Sequence, residues 1–176
     1  NDVRVNLLAL ALLHRFGRPL PEVLRERIMD PIGASKDWEW HGYSTSFTEI
    51  GGKRMQSVSG GAHWGGGMFI GARDHARIGL LIERRGAWGG RQILPASWID
   101  AMLAPSPTND GYGYLWWLNR GKGRNAAAPQ SCVSALGAGN NIIWVDPADD
   151  LVVVLRWIDK SAYAGFIERL MAAVAK

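Results

Sequence analysis

The stretch Asn141–Leu155, NIIWVDPADDLVVVL, limits the possible folds of this chain more than any other. Asn141 to Val145 is an apolar run of strand length, and Asp146-Pro147-Ala148-Asp149-Asp150 reverses the chain after it. Asp suits the first position of a type I turn, where its carboxylate accepts a hydrogen bond from the backbone two residues on, and Pro presets φ at the second. Leu151 to Leu155 follows as an unbroken apolar run rich in β-branched residues, which predicts a central strand buried on both faces. A sheet built on such a strand carries helices on both sides. Just ahead, Gly137-Ala138-Gly139-Asn140 places small residues where a strand begins, and small residues let a backbone N–H approach a ligand.

With 176 residues and 47% hydrophobic content, the chain is long enough for one domain with a sizeable core, and residues 1–176 are expected to form a single domain. The net charge of +4 arises from 20 basic and 16 acidic residues scattered singly, so no stripe for nucleic acid is present. Cys132 is the only cysteine, which excludes an internal disulfide and a cysteine-based zinc site. His14, His41, His63 and His75 lack metal-ligand spacing, and no metal or other cofactor is expected. The chain opens on Asn1 and passes directly into an apolar helical segment, the pattern expected of a piece of a longer protein. Leu7 to Leu13 falls far short of the about 20 apolar residues that span a bilayer, so no membrane partner is expected. The compartment is left open.

Val5 to Phe16 is apolar nearly all round and stops at Gly17, which predicts a deeply buried helix. Pro21 opens a second helix with Val23, Leu24 and Ile28 as its stripe, ended by Asp30-Pro31. Residues 33 to 67 lose periodicity while holding Trp38, Trp40, Tyr43, Phe47, His63 and Trp64, and a long aromatic loop of this kind points to a binding region. A helix is expected from Ala72, with Asp74 in its first turn, Ile78, Leu81 and Ile82 inward, and Gly86 closing it. Pro95 opens a short helix through Leu103. Tyr112 to Asn119 reads as a strand, Gly121-Lys122-Gly123 as a turn, and Ala126 to Ala135 as its partner. Tyr163, Phe166, Ile167, Leu170 and Val174 recur at helical spacing behind Ser161, a candidate cap.

Several of these blocks together resemble the penicillin-recognising serine hydrolases: class C β-lactamases, penicillin-binding proteins, and related esterases and 6-aminohexanoate-oligomer hydrolases. The blocks are GGGMFIGARDHARIG, RGAWGGRQILPASWIDAML, YGYLWW and the DLVVVL strand behind its Asp-Pro turn. The resemblance covers essentially the whole chain. It implies an α+β fold of β-lactamase/transpeptidase type, an antiparallel sheet flanked by helices, with the N-terminal strands and nucleophile helix outside this chain. In that family a Lys/His-Thr-Gly triplet lines the active site, and counting back from Asp146-Pro147 places Ala135-Leu136-Gly137 on it. Only the glycine is kept. The start of the chain is similar to the region just after the family's catalytic tyrosine, in a Tyr-x-Asn motif whose third position Asp2 would take. Asp2 would then orient the lysine or the substrate amide; read without that resemblance, it is a first-turn residue favoured by the helix dipole.

The family's chemistry needs a Ser-x-x-Lys tetrad, in which one helical turn sets an amine beside the hydroxyl it deprotonates. No serine here is followed three residues on by lysine. The resemblance therefore implies a nucleophile upstream, with the Ala138 N–H as one oxyanion donor and Gly137, Ala135 and Leu136 along the substrate. Trp38, Tyr43, His63 and Trp64 are candidates for an apolar wall, with packing of the loop as the alternative. Without the triplet's cation and hydroxyl, an uncharged ester or amide is the favoured substrate. A β-lactamase or DD-peptidase acting on β-lactams or peptidoglycan peptides, a non-catalytic binding homologue, and a self-associating β-rich domain remain alternatives. The expected partners are a small ester or amide, the missing N-terminal segment of the same protein, and a second copy through the Leu151–Trp157 edge.

Overall fold

The computed structural model describes residues 2–59, 66–121 and 124–175, Asp2 through its backbone. These group into two compact units, Asn1–Asp74 and His75–Lys176.

The first unit begins with helix α1 (Asp2–Phe16), which is followed by α2 (Leu20–Leu24) and, without a break, a π-helical continuation over Arg25–Met29. Pro21 lies in the first turn of α2, where its missing N–H costs nothing. Ala9, Leu20 and Val58 form a small core with Trp40 packed against it. α1 is less buried than its composition predicts. Ala9 and Leu13 face inward, but Val3, Leu7, Leu8, Leu12 and Phe16 are exposed, because this unit covers only one stripe of a helix that is apolar on several.

Residues 33–67 are also more regular than a loop. They contain β1 (Glu39–His41), β2 (Phe47–Ile50) and β3 (Lys53–Gln56), and end at β4 (Gly67–Phe69). β1 pairs antiparallel with β4. β2 and β3 form a hairpin in the register Ile50↔Lys53, joined by Gly51-Gly52 at φ +58° and +75°. Two positive φ values make the primed turn whose twist suits a two-residue hairpin, and glycine adopts them without strain. Asp74 is buried and does more than balance a helix dipole: its carboxylate accepts from the Ser35 N–H at 3.1 Å and the Ser35 hydroxyl at 2.6 Å.

The second unit holds α3 (Ala72–Glu83, whose first turn contains the boundary), β5 (Ala87–Trp88), β6 (Arg91–Gln92), α4 (Ala96–Met102), β7 (Trp117–Leu118), β8 (Val133–Gly137), β9 (Asn141–Asp146), β10 (Leu151–Leu155) and α5 (Lys160–Val174). Four strands make one antiparallel sheet in the order β10-β9-β8-β7. Strand alternation sends Val133, Ala135, Ile143, Val145 and Val152 to one face, against Ile78 and Ile82 of α3 and Ile99 and Met102 of α4. Ile142, Trp144, Leu151, Val153 and Leu155 point the other way, onto Tyr163, Phe166, Ile167 and Leu170 of α5. The expected arrangement, an α+β fold with helices on both faces of an antiparallel sheet, is what forms.

Four local expectations change. β10 ends the sheet and is half-buried along its length, whereas β9 takes the central place, buried from Ile142 to Asp146. The strand predicted over Tyr112–Asn119 shrinks to Trp117–Leu118 with a bridge from Tyr112 to Trp117, because Leu115 turns through φ +64°. Its partner starts at Val133 rather than Ala126: Asn119 holds 125–129 as a turn, its amide donating to the carbonyls of Asn125, Ala128 and Pro129. The cap of α5 is Asp159, whose carboxylate accepts from the Ser161 N–H at 2.7 Å and hydroxyl at 2.6 Å, so Ser161 is a donor to the cap. Of the predicted turn Gly121-Lys122-Gly123, the last two residues lie outside the described ones.

Candidate active site

β8 is paired along both sides for only part of its length. On one side β9 runs beside all of it, from Val133↔Val145 to Gly137↔Asn141. On the other, β7 meets Val133 and Ser134 and stops. Among the described residues no strand pairs with that side of Ala135, Leu136 and Gly137, so a row of backbone groups is left there for an extended ligand. Ala135 packs towards the α3/α4 core, and Leu136, alternating with it, is 44% exposed.

After Gly137 the backbone makes a single 3-10 turn over Ala138–Asn140. Gly139 has φ +68°, and a Cβ there would fall 2.1 Å from the Trp157 ring, so the turn both needs the left-handed conformation and packs closely against an indole. Side chains hold it from behind. The Asn141 amide donates to the Ala138 carbonyl at 2.6 Å, and its oxygen accepts from Arg156 Nε at 2.7 Å. Asn140 donates to the Ile158 carbonyl at 3.0 Å. A backbone turn clamped in this way, with Ala138 exposed, is the kind of preorganised feature that stabilises developing negative charge at little reorganisation cost.

A cavity of about 630 Å³ lies beside the same strand, with Leu136, Trp117, Ser134, Trp144 and Tyr163 in its lining. Ser134 and Tyr163 bring hydroxyl groups to its lining. Tyr163 and Ser134 share a hydroxyl hydrogen bond, and burial pushes the Tyr163 phenol above its ordinary value although that bond works the other way.

The remaining candidates belong to the first unit or fall outside the described residues. Trp38 is 1% exposed, and its ring lies under the Arg25 guanidinium, 4.4 Å from the centroid, so its surface is taken up within the unit. Tyr43 shares a 3.0 Å hydrogen bond with the buried Ser59 hydroxyl, which also lies 3.4 Å from Asn6 Oδ1 on α1. Asp2 occupies the first residue of α1. His63 and Trp64 lie outside the described residues.

Sequence reasoning missed Asn141, the clamping role of Arg156, and Tyr163. The first two were legible in principle: Leu151↔Asp146 at the turn carries the register to Leu155↔Ile142 and so sets Arg156 opposite Asn141. Tyr163 was assigned to a packing stripe, and only its height against Ser134 brings it to the cavity.

No family model matches the chain. A curated relative, the 6-aminohexanoate-dimer hydrolase of Paenarthrobacter ureafaciens, is 28% identical across 51% of this chain and 24% of its own length. Among solved structures, a candidate 6-aminohexanoate-dimer hydrolase from Bacillus anthracis aligns over 97% of this chain and 42% of that one, with a TM-score of 0.69 and 23% identity. A candidate β-lactamase from Bacteroides dorei aligns over 88% and 50%, with a TM-score of 0.53 and 18% identity. The chain thus spans about a quarter of the curated relative and half or less of the two structures. Its sheet and flanking helices have the β-lactamase-like fold of these two structures, and over half of its length its sequence is similar to that of the curated hydrolase.

Proposed function

We propose that this chain is part of a serine hydrolase that cleaves uncharged esters or amides through an acyl-enzyme, with the nucleophile, its lysine and the catalytic tyrosine upstream of Asn1. The observation that carries the reading is the side of β8 left unpaired by β7 over Ala135-Leu136-Gly137, running into the clamped turn at Ala138. In this reading the Ala138 N–H is one of two oxyanion donors, a group typically worth about 10²–10³ in rate. The role given to Asp2 rests on the sequence match at the start of the chain. Coverage of half or less of each related protein, and the lack of any Ser-x-x-Lys, support a larger parent.

Substrate class follows from the triplet. A charge-assisted hydrogen bond to a substrate carboxylate is worth roughly 1.5–3 kcal/mol, and neither Ala135 nor Leu136 supplies one. An anionic lactam or peptide carboxylate is therefore bound more weakly by about tenfold or more per lost bond, whereas a neutral ester loses nothing. Arg156 follows the Leu155↔Ile142 pair, opposite Asn141, and its Nε is engaged by the Asn141 oxygen. The decisive measurement is kcat/KM of the intact protein for a p-nitrophenyl ester and for a chromogenic cephalosporin. The ester is expected to win, and a preference for the cephalosporin refutes the substrate assignment. The 176-residue chain by itself is expected to give background turnover only; phosphonate-sensitive activity from it would overturn the placement of the nucleophile.

A further inference from the structure

We propose that the cavity beside β8 seats the acyl arm of the substrate, and that this arm is an uncharged, mainly apolar chain or ring well beyond acetyl in size. The inference rests on the ester or amide hydrolysis proposed above and extends it to what is bound and where.

Three observations meet at Leu136. Its backbone lies on the side of β8 that β7 leaves unpaired, and its side chain lines the cavity, so a substrate laid along that edge has the cavity within reach of one end. The cavity volume of about 630 Å³ is that of a small-molecule site, typically about 300–1,000 Å³. Its walls also leave apolar surface uncovered: Leu136 is 44% exposed and Trp117 49%, while Trp144 closes the inner side. Water on such surface is displaced favourably by an apolar group.

Charge selects the class of occupant. Among the described lining residues Asp110 and Arg120 are the ionised ones, one of each sign and both exposed, so the cavity offers a free anion or cation no net attraction. Deeper in, Ser134 and the neutral Tyr163 phenol provide hydroxyl groups that suit a hydroxyl or amide at the far end of the arm. The acyl half is the one to assign here. It stays on the enzyme through acylation and deacylation, whereas the alcohol or amine half must leave after the first step and gains nothing from a deep seat.

The test is a chain-length series of p-nitrophenyl acetate, butyrate and hexanoate on the intact protein. Each methylene buried is worth about fourfold, so kcat/KM is expected to rise by more than tenfold from acetate to hexanoate. Trp117→Ala, which opens the wall, and Leu136→Asp, which sets a charge at an exposed point of the mouth, are each expected to flatten the series. In parallel, hexanamide is titrated into the intact protein while the Trp117 and Trp144 indole and Tyr163 ring resonances are followed by NMR; all three are expected to shift. If no ester is cleaved yet the resonances shift, the hydrolase reading falls and the cavity assignment stands. A flat series in an active enzyme, or unmoved resonances at saturating hexanamide, overturns the assignment.

Discussion

Replacing Gly79 with alanine sets two effects of opposite sign against each other on the buried face of α3. In an open helix position the change is favourable, because alanine is about 0.8–1.0 kcal/mol better than glycine. Here the added Cβ would lie 2.5 Å from Val152 Cγ1 and 2.8 Å from Ile143 Cγ2, both closer than carbon atoms approach without displacement. Overpacking of this kind costs about 1–3 kcal/mol. Val152 stands on the half-buried edge strand and can give way, but Ile143 is buried in the central strand between two neighbours, so the upper part of that range applies. The net effect is a loss of about 1–2 kcal/mol. Gly165→Ala in α5 supplies the control: its Cβ would meet only Arg169 Nη1, at 3.9 Å, so the propensity gain of about 1 kcal/mol stands alone. Urea unfolding of wild type and both variants should place them on opposite sides of wild type, some 2–3 kcal/mol apart. If Gly79→Ala is as stable as Gly165→Ala, the close approach of α3 to the sheet is wrong.

Asn141→Ala removes the amide that donates to the Ala138 carbonyl and accepts from Arg156, and the intact enzyme should lose about tenfold in kcat, within the 10²–10³ ceiling of a whole oxyanion donor. An unchanged kcat with a raised KM assigns the clamp to binding instead and counts against Ala138 as the oxyanion donor. Burial first, and then the Asp146 carboxylate, push the Cys132 thiol well above its ordinary value of 9.0, so it should resist thiol reagents at pH 8 until the protein unfolds. By linkage the folded state keeps this proton while the unfolded state releases it, so stability is intact below pH 9.0 and declines as pH rises past it, a slope that Cys132→Ser should reduce. Because β10 ends its sheet with an apolar strand, the purified 176-residue chain should self-associate in sedimentation velocity, and a monodisperse monomer overturns that expectation.

What could be read in advance is set by what a local run of residues encodes. The unbroken apolar runs over Ile142–Val145 and Leu151–Leu155 and the helical spacing of Tyr163–Leu170 describe which faces are covered, and the two-sided sheet follows from them. Pairing along an edge leaves no such mark. Leu151–Leu155 looks central because α3 covers one of its faces and α5 the other, yet burial of its faces says nothing about whether a strand lies alongside. The hairpins at Gly51-Gly52 and Gly89-Gly90 escaped notice because their strands are only two to four residues long, although both glycine pairs carry the signature of a primed turn. The site divides in the same way. The triplet position and the glycine turn were visible from the Asp146-Pro147 turn outward, but the clamp and the cavity depend on residues that meet only after strand register and helix height are fixed.

The alternation of β8 also bears on how new specificities arise in this scaffold. Adjacent codons answer to different constraints: Ala135 is bounded by the packing of α3 and α4, whereas Leu136 is 44% exposed and lines the cavity. A randomised library at 136 should return folded clones with most amino acids and a wide spread of substrate preference. One at 135 should return few folded clones, nearly all small, with little change in what they cleave. Under the proposed acyl-arm assignment, position 136 is where specificity can change one substitution at a time without compensating changes elsewhere.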